Sequence, residues 1–206
     1  MFTNRLQEWV RARARRLVTS LHLRGVTPNL LTLTGLVVTA VAAVLVSLGW
    51  LLAGGLVLLF AGLFDILDGA VARVAGRVRP YGAFLDSTTD RYAEVITYAA
   101  LLYHYASKPG NTLPAMLVVL ALGGSLLVSY VRARAQSLGF TCDGGLLARP
   151  ERVVITAAGL VISPLLIWAL WALAVLTNVT AVQRILTVWR QARGVAAADL
   201  PSPPAA

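Results

Sequence analysis

The sequence predicts an all-α, polytopic integral membrane protein with six transmembrane helices and an N-terminal interfacial amphipathic helix. Three observations predict it. The chain has 206 residues, of which 58% are hydrophobic and only 13% charged; a soluble domain carries roughly 25% charged residues. Mean hydropathy is +0.74. Two stretches, Leu30–Phe64 and Val153–Gln183, contain no charge at all, and each is too long for a single span of about 20 residues. Basic residues, finally, recur on alternate connections between the apolar segments. This composition excludes a disordered chain and an ordinary soluble globule. The single cysteine, Cys142, excludes an intrachain disulfide and a multi-thiolate metal site.

Residues 1–24 form the lead-in. Leu6, Trp9, Val10, Leu17, Val18 and Leu21 recur at helical spacing, with Arg11, Arg15 and Arg16 between them. That pattern fits a helix lying on an anionic leaflet rather than a signal peptide. The first span is expected over about Leu30–Leu48 and the second over about Leu51–Val71, joined by a tight turn near Gly49–Trp50. A third covers about Gly82–Tyr105 despite Asp86, Asp90, Arg91 and Glu94. Breaker residues Lys108-Pro109-Gly110-Asn111 follow. The fourth runs from about Leu113 to Val131. Val153–Gln183 divides into a short fifth and a sixth span with a break near Ser163-Pro164. Residues 1–193 read as one membrane domain, and 194–206, ending Pro-Ser-Pro-Pro-Ala-Ala, as a disordered tail.

Six spans place both termini on one side. Of the 18 basic residues, 17 are arginine, and Lys108 is the only lysine. The arginines fall before the first span, between the second and third, between the fourth and fifth, and after the sixth. By the positive-inside rule that face is cytoplasmic, in a multi-pass protein of the cell membrane. The net charge of +9 is largely accounted for in this way, and no nucleic-acid partner is expected.

Of the nine acids, five lie between positions 65 and 94, beside or inside apolar segments where acids are costly. Asp65 and Asp68 are three apart, so a helix sets them about 60° apart on one face; Asp86 and Asp90, four apart, are separated by about 40°. The connection between the two segments is short, so the two helices are expected to be antiparallel neighbours. Four carboxylates then meet at one depth just inside the cytoplasmic interface. Such a group calls for counter-charge. With no His or Cys among them, hard divalent cations, Mg²⁺ or Mn²⁺, suit the oxygen ligands, and two ions would form a clamp for phosphoryl chemistry. Gly69, Ala72 and Gly82 leave room for a ligand, and Arg73 is placed to meet a phosphate. The competing reading pairs these acids structurally with Arg73 or Arg91; Glu94, one turn past Asp90, is equally suited to support the site or to pair with Arg91.

The pattern Asp65-x2-Asp68-Gly69-x2-Ala72-Arg73-x8-Gly82-x3-Asp86-x3-Asp90 resembles the signature of the CDP-alcohol phosphotransferases, matching all eight fixed positions. The resemblance implies an integral membrane enzyme with six transmembrane helices, commonly a homodimer. Such an enzyme moves a phosphatidyl-type group from a CDP-linked lipid to an alcohol and releases CMP. It further implies that Asp65, Asp68, Asp86 and Asp90 hold the metals, that Asp90 is the base on the attacking hydroxyl, and that Gly69, Ala72, Arg73 and Gly82 line the CDP site.

Arginine forks near the cytoplasmic ends of the last three spans favour a phosphate-bearing acceptor; ordinary topological anchoring explains any one of them equally well. The segments Ser129-Tyr-Val-Arg132-Ala-Arg134, Asp143-Gly-Gly, Arg149-Pro-Glu-Arg152 and Gln183-Arg184 look like the phosphatidylinositol phosphate synthase branch. In that branch Ser129, Arg132, Arg152 and Arg184 would hold inositol 1-phosphate, although position 132 is often Lys. Glycerol 3-phosphate is the alternative acceptor, and the lipid could be CDP-diacylglycerol or CDP-archaeol. Two other classes compete. A cation transporter would place its acids deeper and would not need the Gly69, Gly82 and Arg73 set. A lipid-binding scaffold would not require Asp90.

Overall fold

A computed structural model describes residues 27–74, 80–142 and 144–198, without the side chains of 72–74 and 194–198. The expected interfacial helix at 1–24 lies outside the described residues, as do Asp143 and the chain beyond 198. Everything described is helix or connection, so the all-α class is observed. The helices are α1 (Pro28–Ser47), α2 (Leu51–Val74), α3 (Pro80–Ala106), α4 (Thr112–Ser137), α5 (Arg149–Val161) and α6 (Leu166–Ala198), with a 3₁₀ turn at Ser163–Leu165 ahead of α6.

The ends of these helices follow local chemistry. The Thr27 hydroxyl caps α1 by accepting from the Leu30 amide at 3.3 Å, with Pro28 in the first turn, where its missing N–H costs nothing. At the other end Gly49 takes φ +86°. Its amide bonds the Val46 carbonyl and that of Trp50 bonds Leu45, both at 2.9 Å. This is the Schellman closure that a left-handed glycine permits. Gly139 closes α4 in the same way, at φ +83°, with bonds from Gly139 to Gln136 and from Phe140 to Ala135. The break between α5 and α6 sits at Ser163-Pro164, where the sequence puts it.

One expectation is corrected. Helices α2 and α3 do not pack along each other as antiparallel neighbours. Contacts run α1–α2–α5–α6–α4–α3 and back to α1, a closed ring in which α1 stands between the two acid-bearing helices. Helix ends crowded with carboxylates repel, whereas α1 offers small and hydroxyl-bearing residues: a Cβ on Gly35 would touch Phe64 of α2 at 3.0 Å. Among the described residues four helical segments, Pro28–Ser47, Leu51–Val71, Thr112–Ser137 and Ser163–Arg193, are long and apolar enough to cross a membrane. Helix α3 is more charged than these four, with Asp86, Asp90, Arg91 and Glu94, and α5, with 13 residues, is about 20 Å long against a hydrocarbon core of about 30 Å. Helix α6 runs on to Ala198, and the run Val195-Ala-Ala-Ala has the propensity to carry it.

Packing is that of a bundle in lipid. Thr177, Thr180 and Ser125 are completely buried, whereas Val37, Phe60, Ile66, Tyr103 and Trp168 are 54–69% exposed. Small residues bring the helices together: Gly55 of α2 lies against Leu160 and Val161 of α5, and Gly124 of α4 against Thr177 of α6. The apolar core gathers Val46, Leu58, Tyr98, Leu101, Leu117, Leu160, Leu170 and Leu173 at the centre of the ring.

Candidate active site

The acids of the motif lie at one end of the ring, drawn from α2 and α3. Asp68 is buried, and its Oδ2 accepts from the Thr32 hydroxyl of α1 at 2.7 Å. Asp65, one turn earlier, accepts from Arg149 Nη1 at 2.7 Å. That same nitrogen lies 2.8 Å from Oδ1 of Asp90. A single guanidinium atom from α5 thus bridges the two acid-bearing helices. Asp68 lies in the electrostatic field of Asp86 and Asp65, and Asp90 in that of Asp86 and Asp65. The four carboxylates thus form one charged neighbourhood.

Arg149 precedes the fifth apolar stretch. Burial works against its charge, but Asp90 and Asp65 outweigh burial and hold the guanidinium above its ordinary pKa. It is the counter-charge that four acids call for.

The charge pattern continues along α3. Asp90 Oδ2 faces Arg91 Nη2 at 3.6 Å. Arg91 Nε faces Glu94 Oε2 at 3.3 Å, without hydrogen-bond alignment, since neither atom has a hydrogen-bond partner. Glu94 Oε1 then accepts from both Nε and Nη2 of Arg152, at 3.0 and 2.6 Å, and Arg152 Nη1 donates to the Leu147 carbonyl at 3.2 Å. Arg152 and Glu94 are only 3% and 6% exposed. A pocket lined by apolar Leu58, Ala61 and Val153 and by Asp65, Tyr98 and Arg149 among others adjoins these groups.

The remaining expected residues are placed as follows. Gly69 and Gly82 are half-buried, and a Cβ on Gly82 would come within 3.4 Å of the Asn29 side chain of α1. Ala72 and Arg73 belong to the last turns of α2, but their side chains lie outside the described part. Ser129 donates to the Ser125 carbonyl of its own helix. Arg132 is exposed at the same end of α4. Arg184 is buried, donating from Nε to the Gly144 carbonyl at 2.9 Å and from Nη1 to that of Val128 at 2.6 Å. Arg184 on α6 is thereby tied to α4 beside Ser129 and to the loop whose Leu147 carbonyl holds Arg152. Arg152 and Arg184 thus both bond carbonyls of the stretch 144–147.

Sequence reasoning missed two members of the acid site. Thr32 is one of three threonines in the first span; Thr34 and Thr39 bond only their own helix carbonyls, and nothing local distinguishes Thr32 from them. Arg149 reads as a topological or acceptor arginine, yet it sits among the acids.

The donor set suits a hard divalent cation: carboxylate oxygens from two helices, with no softer ligand. Among the described residues, no three His, Cys, Asp or Glu side chains converge tightly enough to form a metal centre. Arg149 and Thr32 hold oxygens that such an ion would share.

Comparison with known proteins agrees with this site. A profile of the CDP-alcohol phosphatidyltransferases matches residues 25–189. The chain is 37% identical over 174 residues to the phosphatidylinositol phosphate synthase of Mycobacterium marinum, covering 80% of this chain and 74% of that one. It is 38% identical over 169 residues to the archaetidylinositol phosphate synthase of Methanothermobacter thermautotrophicus, covering 78% and 82%. Crystal structures of the Mycobacterium tuberculosis phosphatidylinositol phosphate synthase superpose with a TM-score of 0.79 when that protein has CDP-DAG bound and 0.81 when it is in complex with manganese and citrate. Identity is 35% in both, and 85% of this chain is covered, with 93% and 88% of the other. With the eight motif positions filled, their acids gathered at one end of the ring and the profile spanning all but the chain's ends, this protein belongs to the CDP-alcohol phosphatidyltransferase family of membrane enzymes.

Proposed function

We propose that the enzyme transfers the phosphatidyl-type group of a CDP-linked lipid, CDP-diacylglycerol or CDP-archaeol, to inositol 1-phosphate and releases CMP. The sharing of one Arg149 nitrogen by Asp65 of α2 and Asp90 of α3, with Asp68 and Asp86 in the same electrostatic neighbourhood, is the observation that supports the reading. The names of the mycobacterial and archaeal relatives, one with each lipid type and both with an inositol phosphate product, support this acceptor.

In this reading the acceptor hydroxyl oxygen attacks the lipid-side phosphorus of the diphosphate. A new P–O bond forms, the P–O bond to CMP breaks, and Asp90 takes the hydroxyl proton. Asp65, Asp68, Asp86 and Asp90 would hold Mg²⁺ or Mn²⁺, two ions in all, which when bound supply neutralising charge to the diphosphate. Gly69, Ala72, Arg73 and Gly82 line the CDP moiety. Ser129, Arg132, Arg152 and Arg184 form the acceptor's end of the site, joined by the 138–148 loop. The same reading places six membrane-crossing segments in a homodimer, with α3 tolerated because Asp90 and Glu94 are paired with Arg149 and Arg152. Both termini and the acid site face the cytoplasm.

The deciding experiment is CMP release by purified protein with CDP-diacylglycerol, a divalent cation and each candidate alcohol. Inositol 1-phosphate is expected to support turnover; product with glycerol 3-phosphate and none with inositol 1-phosphate would reject the acceptor. Asp90→Asn is expected to abolish turnover while CDP-lipid binding persists. Joint loss of both would make Asp90 chiefly a ligand.

A further inference from the structure

We infer that Glu94 is the positioning residue that links the base to the acceptor's arginine, an inference that rests on the function proposed above. Glu94 lies one helical turn beyond Asp90 and is almost wholly buried. Its two oxygens do different work. Oε1 takes both Nε and Nη2 of Arg152, fixing that guanidinium in a plane while the Leu147 carbonyl takes Nη1. Oε2 faces Arg91 Nε at 3.3 Å.

Arg91 is shared between two acids. Its Nη2 stands 3.6 Å from Asp90 Oδ2, too far for a hydrogen bond. The other oxygen, Oδ1, is held by Arg149 at 2.8 Å. Oδ2 is therefore the less engaged oxygen of the base, and Glu94 keeps it so by drawing Arg91 the other way. Without the Glu94 carboxylate, Arg91 has Asp90 as its nearest partner and closes on the oxygen that must accept the proton. Arg152 loses its bidentate anchor in the same step. One substitution then disturbs both proton removal and acceptor binding, while Asp65, Asp68 and the CDP end of the site are untouched.

The test compares wild type with Glu94→Gln and Glu94→Asp in detergent, measuring folded protein by size-exclusion profile and kcat and KM for each substrate. Residues that orient ligand-bearing groups typically contribute 10–100-fold. Glu94→Gln is expected to lower kcat about tenfold or more and to raise the acceptor KM about fivefold, with the CDP-lipid KM within about twofold of wild type. Glu94→Asp keeps the charge and is expected to recover part of both. A folded Glu94→Gln enzyme with wild-type kcat and acceptor KM would overturn the inference. Should the Gln variant not fold, Glu94→Asp decides alone: its shortened carboxylate must raise the acceptor KM and leave the CDP-lipid KM flat, and a flat acceptor KM overturns the inference. Failure of the wild type with inositol 1-phosphate would reject the acceptor assignment, not this role. The same variants are then measured with whichever alcohol supports CMP release.

Discussion

Thr32 and Arg149 reach the acids from helices that carry none of the motif, and each contact makes a distinct prediction. A hydrogen bond to a charged group contributes about 1.5–3 kcal/mol, so Thr32→Val is expected to destabilise the fold by about that amount. Thr34→Val is the control: its hydroxyl bonds only the Leu30 carbonyl, and its loss is expected to be near neutral. Thermal unfolding of the two variants in detergent checks the difference. Arg149→Gln leaves Asp65 and Asp90 without the cation they share, and CMP release is expected to fall about a hundredfold. Arg149→Lys, which keeps a charge but not the fork, is expected to fall less. Equal activity of the two variants would show that geometry, not charge, is what Arg149 supplies. The acids themselves were legible because their partners in the pattern lie three and four positions away on one helix. Thr32 and Arg149 were not, because the residues they serve lie 36 and 84 positions away, and no local period records such a contact.

Among the helices, close approach is set by glycine, and the structure separates glycines that matter from those that do not. A Cβ at Gly55 would stand 2.8 Å from Leu160 Cβ and 3.0 Å from the Val161 amide of α5. Overpacking of that kind costs about 1–3 kcal/mol, and Gly55→Ala is expected to lower the unfolding temperature. At Gly123 nothing lies within 4 Å; Gly123→Ala is expected to be neutral or to stabilise α4 by about 0.5–1 kcal/mol. The helix breaks could be read in advance because Gly49, Gly110 and Pro164 announce themselves chemically. The neighbours of each helix could not. In a membrane protein the outer face is as apolar as the core, so hydrophobic periodicity does not mark the packed side. That is why α1, rather than α3, proves to be the neighbour of α2 on the acid side.

At the scale of the whole molecule, the asymmetry of charge predicts orientation. Cys142 is buried and gives little background in thiol labelling. With the Arg-rich face cytoplasmic, a membrane-impermeant thiol reagent applied to intact cells is expected to modify Lys108→Cys and to spare Arg193→Cys; the opposite pattern would invert the proposed topology. Helix α6 adds something that orientation alone does not. Its 33 residues extend about 50 Å, roughly 20 Å more than the hydrocarbon is thick. Toward the distal part of that length, Gln191 clasps Thr141 through its Oε1 and Nε2, and Arg184 holds the Gly144 carbonyl. The loop that carries the Leu147 carbonyl is therefore moored to a mast standing in the bilayer. A thinner or thicker membrane changes the tilt of such a mast, and with it the seat of Arg152. Lipid chain length thus becomes a variable of the chemistry: turnover in vesicles of graded acyl length is expected to pass through an optimum, with the loss on either side appearing in the acceptor KM.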